Sequence, residues 1–290
     1  MATAVRGVQA FRVYLEMIKF EHSIFALPFA LLGMLWGAQG WPGWRIFWLI
    51  VVAMVSCRSA AMAFNRIADR NIDAKNPRTV IRALPAGILS LRDANLFFFG
   101  SCAIFFLAAY ALNPLAFALS PVALGVTLLY SLTKRFTSLC HFVLGLSLAI
   151  APAAAWIAST GTFDPKVLPL VGGVMFWTAG FDLIYSLQDD DFDRENGLNS
   201  IPSRFGRTFA LQLSRISHIV AISLFAFAGM LNQAGLFYYV GVGLAAALLT
   251  YEQSLVKPND LSKVNLAFFT LNGFVSMGVF GFALLDFLSR

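Results

Sequence analysis

Two aspartate-rich blocks carry the chemistry this sequence is equipped to do. The first is Asn65-Arg66-Ile67-Ala68-Asp69-Arg70-Asn71-Ile72-Asp73, and the second is Tyr185-Ser186-Leu187-Gln188-Asp189-Asp190-Asp191-Phe192-Asp193. In each, a polar residue or tyrosine is followed by an acid four residues on, and by another four residues after that. Positions i, i+4 and i+8 of a helix form one slowly drifting stripe. Asn65, Asp69 and Asp73 therefore share a face, with Arg58 on the same side. Asp182, Asp189 and Asp193 share a second face, with Tyr185 beside them. Two facing carboxylate stripes repel: unit charges about 4 Å apart interact by about 4 kcal/mol at an effective dielectric near 20. A cation between them removes the conflict. Hard oxygen ligands suit Mg²⁺, which commonly binds through one or two carboxylates plus substrate phosphates. A diphosphate bridged by Mg²⁺ between the blocks reconciles the charges, and Arg58, Arg70, Lys75, Arg78 and Arg82 are then available to the remaining phosphate oxygens.

These acids sit in a chain built for lipid. Of 290 residues, 59% are hydrophobic and 12% charged, with mean hydropathy +0.73, whereas soluble domains carry about a quarter charged residues. Spanning ~30 Å of hydrocarbon takes roughly 20 apolar residues. Nine candidate spans occur, at about 22–40, 45–64, 94–111, 115–132, 139–158, 167–187, 208–231, 234–252 and 265–287. Backbone polar groups in lipid must be satisfied internally, so the spans are helices. Pro28, Pro121 and Pro152 fall inside them, where kinks are expected. The reading is an all-α membrane protein, a single unit over 1–290 with about nine transmembrane helices. Eight of its fifteen acids lie within 65–73 and 182–195, where dehydration is costly, which marks those stretches as functional rather than incidental. Asp190 and Asp191, taken alone, read as solvated.

Basic residues set the expected orientation. Sixteen of the 21 Lys/Arg fall in the N-terminal segment or in the loops after helices 2, 4, 6 and 8, against Arg45, Lys166 and Arg290 on the other side. The positive-inside rule places the N-terminus and both aspartate blocks in the cytoplasm and the C-terminus outside. The net charge of +6 thus reflects topology, and nucleic acid is not implied. Two loops, about 65–93 and 188–207, are unusually long. Both are cytoplasmic, and each begins at an aspartate block. The blocks align at an offset of 120 residues, a short internal repeat. Residues 1–21 are polar and charged, without a cleavable signal peptide, and Phe11 to Lys19 reads as an interfacial amphipathic helix. Cys57, Cys102 and Cys140 have no paired or metal-ligand spacing, and His22, His141 and His218 are scattered, so both sets are read as packing or interfacial residues. The 29 phenylalanines face lipid or pack, and a few are expected to line the cavity.

With these residues in view, the chain resembles the UbiA superfamily of intramembrane prenyltransferases. The resemblance rests on the nine spans, on Asn65-x3-Asp69-x3-Asp73 after the second, and on Asp189-x3-Asp193 after the sixth. Pro77-Arg78-Thr79, Arg82 to Gly87, Tyr130 to Arg135 and Gly197 to Gly206 also match. Arg-x-Leu-Pro-x-Gly at 82–87 is similar to the branch acting on 4-hydroxybenzoate. Lys19 to Ser23 and Phe181 to Tyr185 are closer to the menaquinone-pathway branch. Many relatives have Asp directly after the first Asn, where this chain has Arg66.

The resemblance implies nine helices around a central cavity, cytoplasmic cap loops, and residence in the bacterial inner membrane. It implies Mg²⁺-assisted transfer of a polyprenyl group from polyprenyl diphosphate to an aromatic acid, in quinone biosynthesis. By the same resemblance Asn65, Asp69, Asp73, Asp189 and Asp193 bind Mg²⁺–diphosphate, and Arg58, Arg70, Lys75 and Arg78 contact phosphate. Lys134, Arg135 and Tyr185 lie near the acceptor, with Asp182 as acid/base or positioning group. The expected acceptor is 4-hydroxybenzoate, with 1,4-dihydroxy-6-naphthoate as alternative. Haem O, chlorophyll and homogentisate enzymes match the flanking stretches less well. An ion-coupled transporter is a rival of another class, but transporters place their acids near the midplane. The Asp-Gly-x2-Ala-Arg signature of CDP-alcohol phosphotransferases is absent.

Overall fold

Apolar stretches of span length leave the chain little choice but helix, and helices account for the architecture. The computed structural model describes Val13, Tyr14 and Ser23–Arg290; the amphipathic segment Phe11 to Lys19 and the Lys19 to Ser23 match lie almost wholly outside the described residues. The long helices are α1 (Ser23–Ala38), α2 (Trp44–Asp73), α3 (Leu91–Leu112), α4 (Pro114–Thr133), α5 (Cys140–Thr160) and α6 (Leu168–Ser186). Two short helices follow, α7 (Asp190–Glu195) and α8 (Ile201–Phe205), then α9 (Arg207–Leu231), α10 (Leu236–Leu255) and α11 (Asn272–Leu288). Among the described residues no strand occurs.

Among the described residues seven helices are long and apolar enough to cross a membrane, and Phe25–Ala38 is a shorter apolar one. That differs from the nine expected spans. The last turns of α10 contain Tyr251, Glu252 and Gln253, which dilute its apolar character, and α1 has only 16 residues. The membrane-facing surface is apolar, with Phe99, Leu107, Val122, Ile216 and Ile219 exposed. Trp41, Trp44 and Trp48 cluster at the end of the bundle opposite the aspartate blocks, as aromatic side chains do at a bilayer interface.

The largest core is shared by α1, α5, α6, α9, α10 and α11. Their core holds Phe25, Phe29, Leu32, Trp177, Phe181, Phe225 and Tyr238. Lipid supplies no hydrophobic drive between helices, so close backbone approach matters. Gly33 lies against the Pro152 carbonyl and Gly145 against the Met175 carbonyl, and a Cβ at either position would overlap that oxygen. α2 packs chiefly on α3 and α4, and meets α1 and α5 at few points. The space left between these two groups of helices is a cavity.

A buried polar chain fixes the wall of that cavity. Trp177 Nε1 donates to Asn272 Oδ1 at 2.6 Å, and Asn272 Nδ2 donates to Glu252 Oε2 at 3.1 Å and to the Ala267 carbonyl at 3.0 Å. The last bond ties down a π-helical turn, Leu266–Leu271, whose Phe268 and Phe269 face the cavity. Such turns occur often at functional sites. Asn272→Leu is expected to strand the Trp177 and Glu252 groups and to cost about 1–2 kcal/mol, read as a lower thermal unfolding midpoint in detergent with the fold retained.

Candidate functional site

The helix carrying the first block does not stop at the membrane surface. α2 runs through Asn65, Asp69 and Asp73, so the stripe inferred from spacing is a helix face. The second block breaks its helix: α6 ends at Ser186, Leu187–Asp189 form a 3₁₀ turn, and α7 begins at Asp190. The break separates the four consecutive positions 188–191. Asp182, Asp189 and Asp193 stay on the cavity side, while Asp190 turns to Arg207 at 2.7 Å and is buried. Asp190 is therefore an internal ion-pair residue and not a solvated one; Asp191 is exposed, as expected.

One polar cavity of about 190 Å³ brings together Asn65, Asp69, Asp73, Asn76, Arg78, Arg82, Tyr130, Lys134, Arg135, His141, Asp182, Tyr185, Asp189 and Asp193. Every expected metal-binding residue is in that set. Asp69, Asp73, Asp189 and Asp193 each meet a cation. Arg135 Nη2 donates to Asp69 Oδ1 at 2.9 Å, and Arg82 Nη1 reaches both Asp73 oxygens at 2.7 and 2.8 Å. Arg78 Nε donates to Asp189 Oδ1 at 2.9 Å, its Nη2 also pairs with Asp189 Oδ2, and Lys134 Nζ lies 2.7 Å from Asp193 Oδ2. Asn65 Nδ2 donates to Asp69 Oδ2 at 2.9 Å, and Asn76 Nδ2 to Asp189 Oδ1 at 3.2 Å. The Asn76 and Arg78 bonds run from the loop after α2 to the end of α6, tying the two blocks across the mouth.

Four acids and four cations packed this way approach neutrality without a ligand. Burial works against the Lys134 ammonium, but the Asp193 carboxylate outweighs it and holds the group above the usual lysine range. Burial likewise opposes the Arg78 guanidinium, and Asp189 overcomes it and raises the group further. Both stay charged at any working pH.

Not every residue singled out from the sequence lines the polar cavity. Arg70 follows Asp69 directly, about 100° around the helix, and is exposed with a bond to the Ile67 carbonyl. Lys75 lies past the end of α2 and is also exposed. Neither lines a cavity. Arg58 is two turns deeper in the membrane than Asn65 and lines a different, apolar cavity. Lys134 and Arg135, expected near the acceptor, line the polar cavity and pair with Asp193 and Asp69. Arg82 and Asn76 reach the polar cavity through the turns at 74–89. His141, read from sequence as a packing residue, lies in the site: its Nδ1 is 2.7 Å from Asp182 Oδ2. Sequence spacing had no means of finding it, because it lies 41 residues from its partner on another helix.

The second cavity, about 690 Å³, is lined by α1 to α6 and closed by the π turn. Along α4 it extends from Ala116 to Tyr130, about 21 Å at 1.5 Å per residue. Leu, Ala, Val, Ile, Met and Phe dominate its wall. Asn65, Arg82, Tyr130, Ser131, Asp182 and Tyr185 line both cavities, so a charged mouth opens onto an apolar interior. At the junction Tyr185 stacks on Phe268 with ring centroids 4.1 Å apart, and Phe25, Phe181 and Phe269 surround them. These are the cavity aromatics that the sequence could not select. A diphosphate ester with a long hydrocarbon tail matches this shape.

Known proteins agree with the geometry. The chain is 32% identical over 285 residues to 4-hydroxybenzoate octaprenyltransferase of Vibrio cholerae serotype O1, covering 96% of each. It is 31% identical over 281 residues to 4-hydroxybenzoate octaprenyltransferase of Nitrosomonas europaea, covering 96% of this chain and 95% of that one. Among solved structures, the apo structure of a UbiA homolog from Aeropyrum pernix K1 superposes with TM-score 0.84 at 36% identity, covering 92% of this chain and 98% of that one. A UbiA homolog from Archaeoglobus fulgidus bound to GPP and Mg²⁺ shares the fold, with TM-score 0.74 at 20% identity, covering 95% of this chain and 99% of that one. The model of the UbiA prenyltransferase family matches residues 26–276, and with a charged cavity opening onto an apolar one the chain belongs to that family and is an integral membrane prenyltransferase.

Proposed function

We propose that this protein transfers a polyprenyl group from polyprenyl diphosphate to 4-hydroxybenzoate, in ubiquinone biosynthesis. The observation that carries the reading is the pair of joined cavities, one charged and one apolar, sharing Asp182, Tyr130 and Tyr185 at their junction. Acids at a helix-end mouth rather than at the membrane midplane also argue against the transporter.

Asn65, Asp69, Asp73, Asp189 and Asp193 offer hard oxygen atoms around one cavity, which fits Mg²⁺ by donor chemistry. Among the described residues no three acidic, histidine or cysteine side chains converge on one point, because each acid is drawn to its own cation. When bound, Mg²⁺ would offset the charge that builds on the departing diphosphate. Arg78, Arg82, Lys134 and Arg135 are placed to exchange their carboxylates for phosphate oxygens as the diphosphate enters. Lys134→Met is expected to raise KM for polyprenyl diphosphate about tenfold, from one lost charge-assisted bond, with kcat less affected. Wild-type diphosphate affinity is expected to stay flat to about pH 10, the ordinary limit of lysine.

Breaking the allylic C–O bond leaves a cation beside Tyr185, Phe268, Phe269 and Phe181, whose π faces stabilise positive charge. The apolar wall keeps water from quenching it. The carbon ortho to the phenolic oxygen attacks, and Asp182 is the base we assign to the ring proton. Arg58 is the group we assign to the acceptor carboxylate. Its Nε is buried without a hydrogen-bond partner, and it lines the apolar cavity with Asp182 and Ser131. Taking an isoprene unit as four backbone bonds, about 4.5 Å from covalent geometry, the interior accommodates four or five units, and a longer tail must pass between helices into lipid. The N-terminus and both cap loops belong on the cytoplasmic side of a bacterial inner membrane, by the basic residues beside them.

The test is EDTA-sensitive transfer by purified protein, with 4-hydroxybenzoate and 1,4-dihydroxy-6-naphthoate supplied in parallel. Product with the first acid supports the reading. Product with the second alone moves the acceptor, and absence of diphosphate binding removes the enzyme's proposed donor.

A further inference from the structure

Gly197 to Gly206 is the matched stretch that the reaction scheme leaves without a role, and its place in the fold supplies one. The loop is fastened to the end of α4: Asn199 N–H donates to the Lys134 carbonyl at 2.7 Å. Ser200 caps α8, with a reciprocal bond from Ser203. This fixes the first residue of α8, Ile201, whose N–H has no carbonyl partner within its own helix. That N–H donates to His141 Nε2 at 3.3 Å. An imidazole nitrogen that accepts a hydrogen bond carries no proton, so the proton of the neutral ring is on Nδ1. Nδ1 is 2.7 Å from Asp182 Oδ2 and donates to it. His141 is 1% exposed, so no solvent competes for either nitrogen.

We infer that His141 is a positioning residue for proton removal, its tautomer locked by the Ile201 amide so that Asp182 faces the acceptor ring with one oxygen held and the other free. The inference rests on the prenyl-transfer reading. A carboxylate at the edge of an apolar cavity needs a donor to remain ionised and oriented. His141 is that donor: among the described residues Asp182 has no arginine or lysine partner, unlike Asp69, Asp73, Asp189 and Asp193. In the step itself, the C–H bond of the prenylated ring carbon breaks and its electron pair restores the aromatic sextet. The proton forms an O–H bond on Asp182 Oδ1. Asp182 then returns it to the diphosphate released in the same turnover, which the adjoining polar cavity holds.

The experiment reads an isotope effect, which a purely structural role does not move. 4-Hydroxybenzoate deuterated at the ring positions ortho to the hydroxyl is compared with unlabelled acid. In wild type, proton loss is fast after C–C bond formation and the ratio is near one. His141→Leu is expected to lower kcat about 10²-fold, the lower end of general-base catalysis, and to raise a primary isotope effect. His141→Asn, whose amide N–H can take the place of Nδ1–H, recovers both. Ile201→Pro removes the N–H at a helix position where proline is tolerated, and raises the isotope effect; Ile201→Ala, which keeps the N–H, does not. A slow His141→Leu with a ratio of one, or one with unchanged rate, overturns the inference.

A second readout is independent of the acceptor. ¹⁵N-histidine spectra of wild type, assigned against His141→Asn, are expected to show a neutral ring protonated on Nδ1. An Nε2-protonated or doubly protonated ring overturns the lock. If wild type prenylates another acid, the acceptor assignment falls while these spectra still decide the lock.

Discussion

Asp69→Ala and Asp189→Ala are each expected to lower prenyl transfer by about 10³-fold or more, the scale of losing a preorganised electrostatic group, while the bundle stays folded. The two acids occupy opposite walls of one polar cavity, on α2 and after α6. Each has a guanidinium partner that is a third or more exposed. Ion pairs with that much solvent contribute little to stability, about 0–1 kcal/mol. Under the proposed function the same carboxylates contribute far more to activity, by gathering cations around a leaving group whose charge grows as the C–O bond breaks. Activity and thermal unfolding midpoints measured on the same preparations separate the two effects. Activity within tenfold of wild type in both variants would remove the metal–diphosphate assignment. Asp189→Ala carries a further consequence: it breaks the Asn76 and Arg78 bonds to position 189 and leaves only the Arg78 bond to Tyr185, at 3.0 Å, among these links from the loop after α2 to α6. Its loss is expected to exceed that of Asp189→Asn.

Arg58→Met is the second large effect, and its signature is selective. A half-buried arginine whose Nε is buried and unpartnered in an apolar wall is an unspent anion site. Loss of a charge-assisted bond to a carboxylate in such surroundings is worth about 2–4 kcal/mol, so KM for 4-hydroxybenzoate is expected to rise about 10²-fold. KM for polyprenyl diphosphate is expected to stay within about twofold, because Arg58 lies two helical turns from the phosphate-side residues. The methyl ester of the acceptor lacks the charge, and wild type and variant should handle it alike. A rise in the diphosphate KM instead would return Arg58 to the role its spacing from Asn65 suggested.

Arg58 and Arg70 illustrate how far a stripe on a helix can be read. The i, i+4, i+8 pattern placed Asn65, Asp69 and Asp73 together, and it did so because α2 continues as regular helix through all three. The same regularity turns Arg70 away from the site, as the one-residue offset from Asp69 requires. Depth is what the pattern omits. Arg58 is on the right face but about 10 Å along the axis from Asn65, which leaves it on the apolar cavity and out of the polar one.

What the sequence determined is local and compositional. Long apolar runs must be helices in lipid, the acids cannot sit at their ends without a cation to meet them, and their four-residue spacing assigns a face. Family resemblance then follows from residues that are contiguous in the chain. What only the tertiary structure decided is which distant groups meet. Arg82 folds back on Asp73, Lys134 finds Asp193, and Ile201, His141 and Asp182 form a line drawn from three separate helices. The 3₁₀ turn at 187–189 sends Asp189 into the cavity and Asp190 to Arg207, a division that two adjacent identical residues cannot announce. The physical reason is the same in each case. Hydrogen bonds and ion pairs act over about 3 Å of space, and the separation in sequence of the groups they join is set by helix packing, not by any period along the chain.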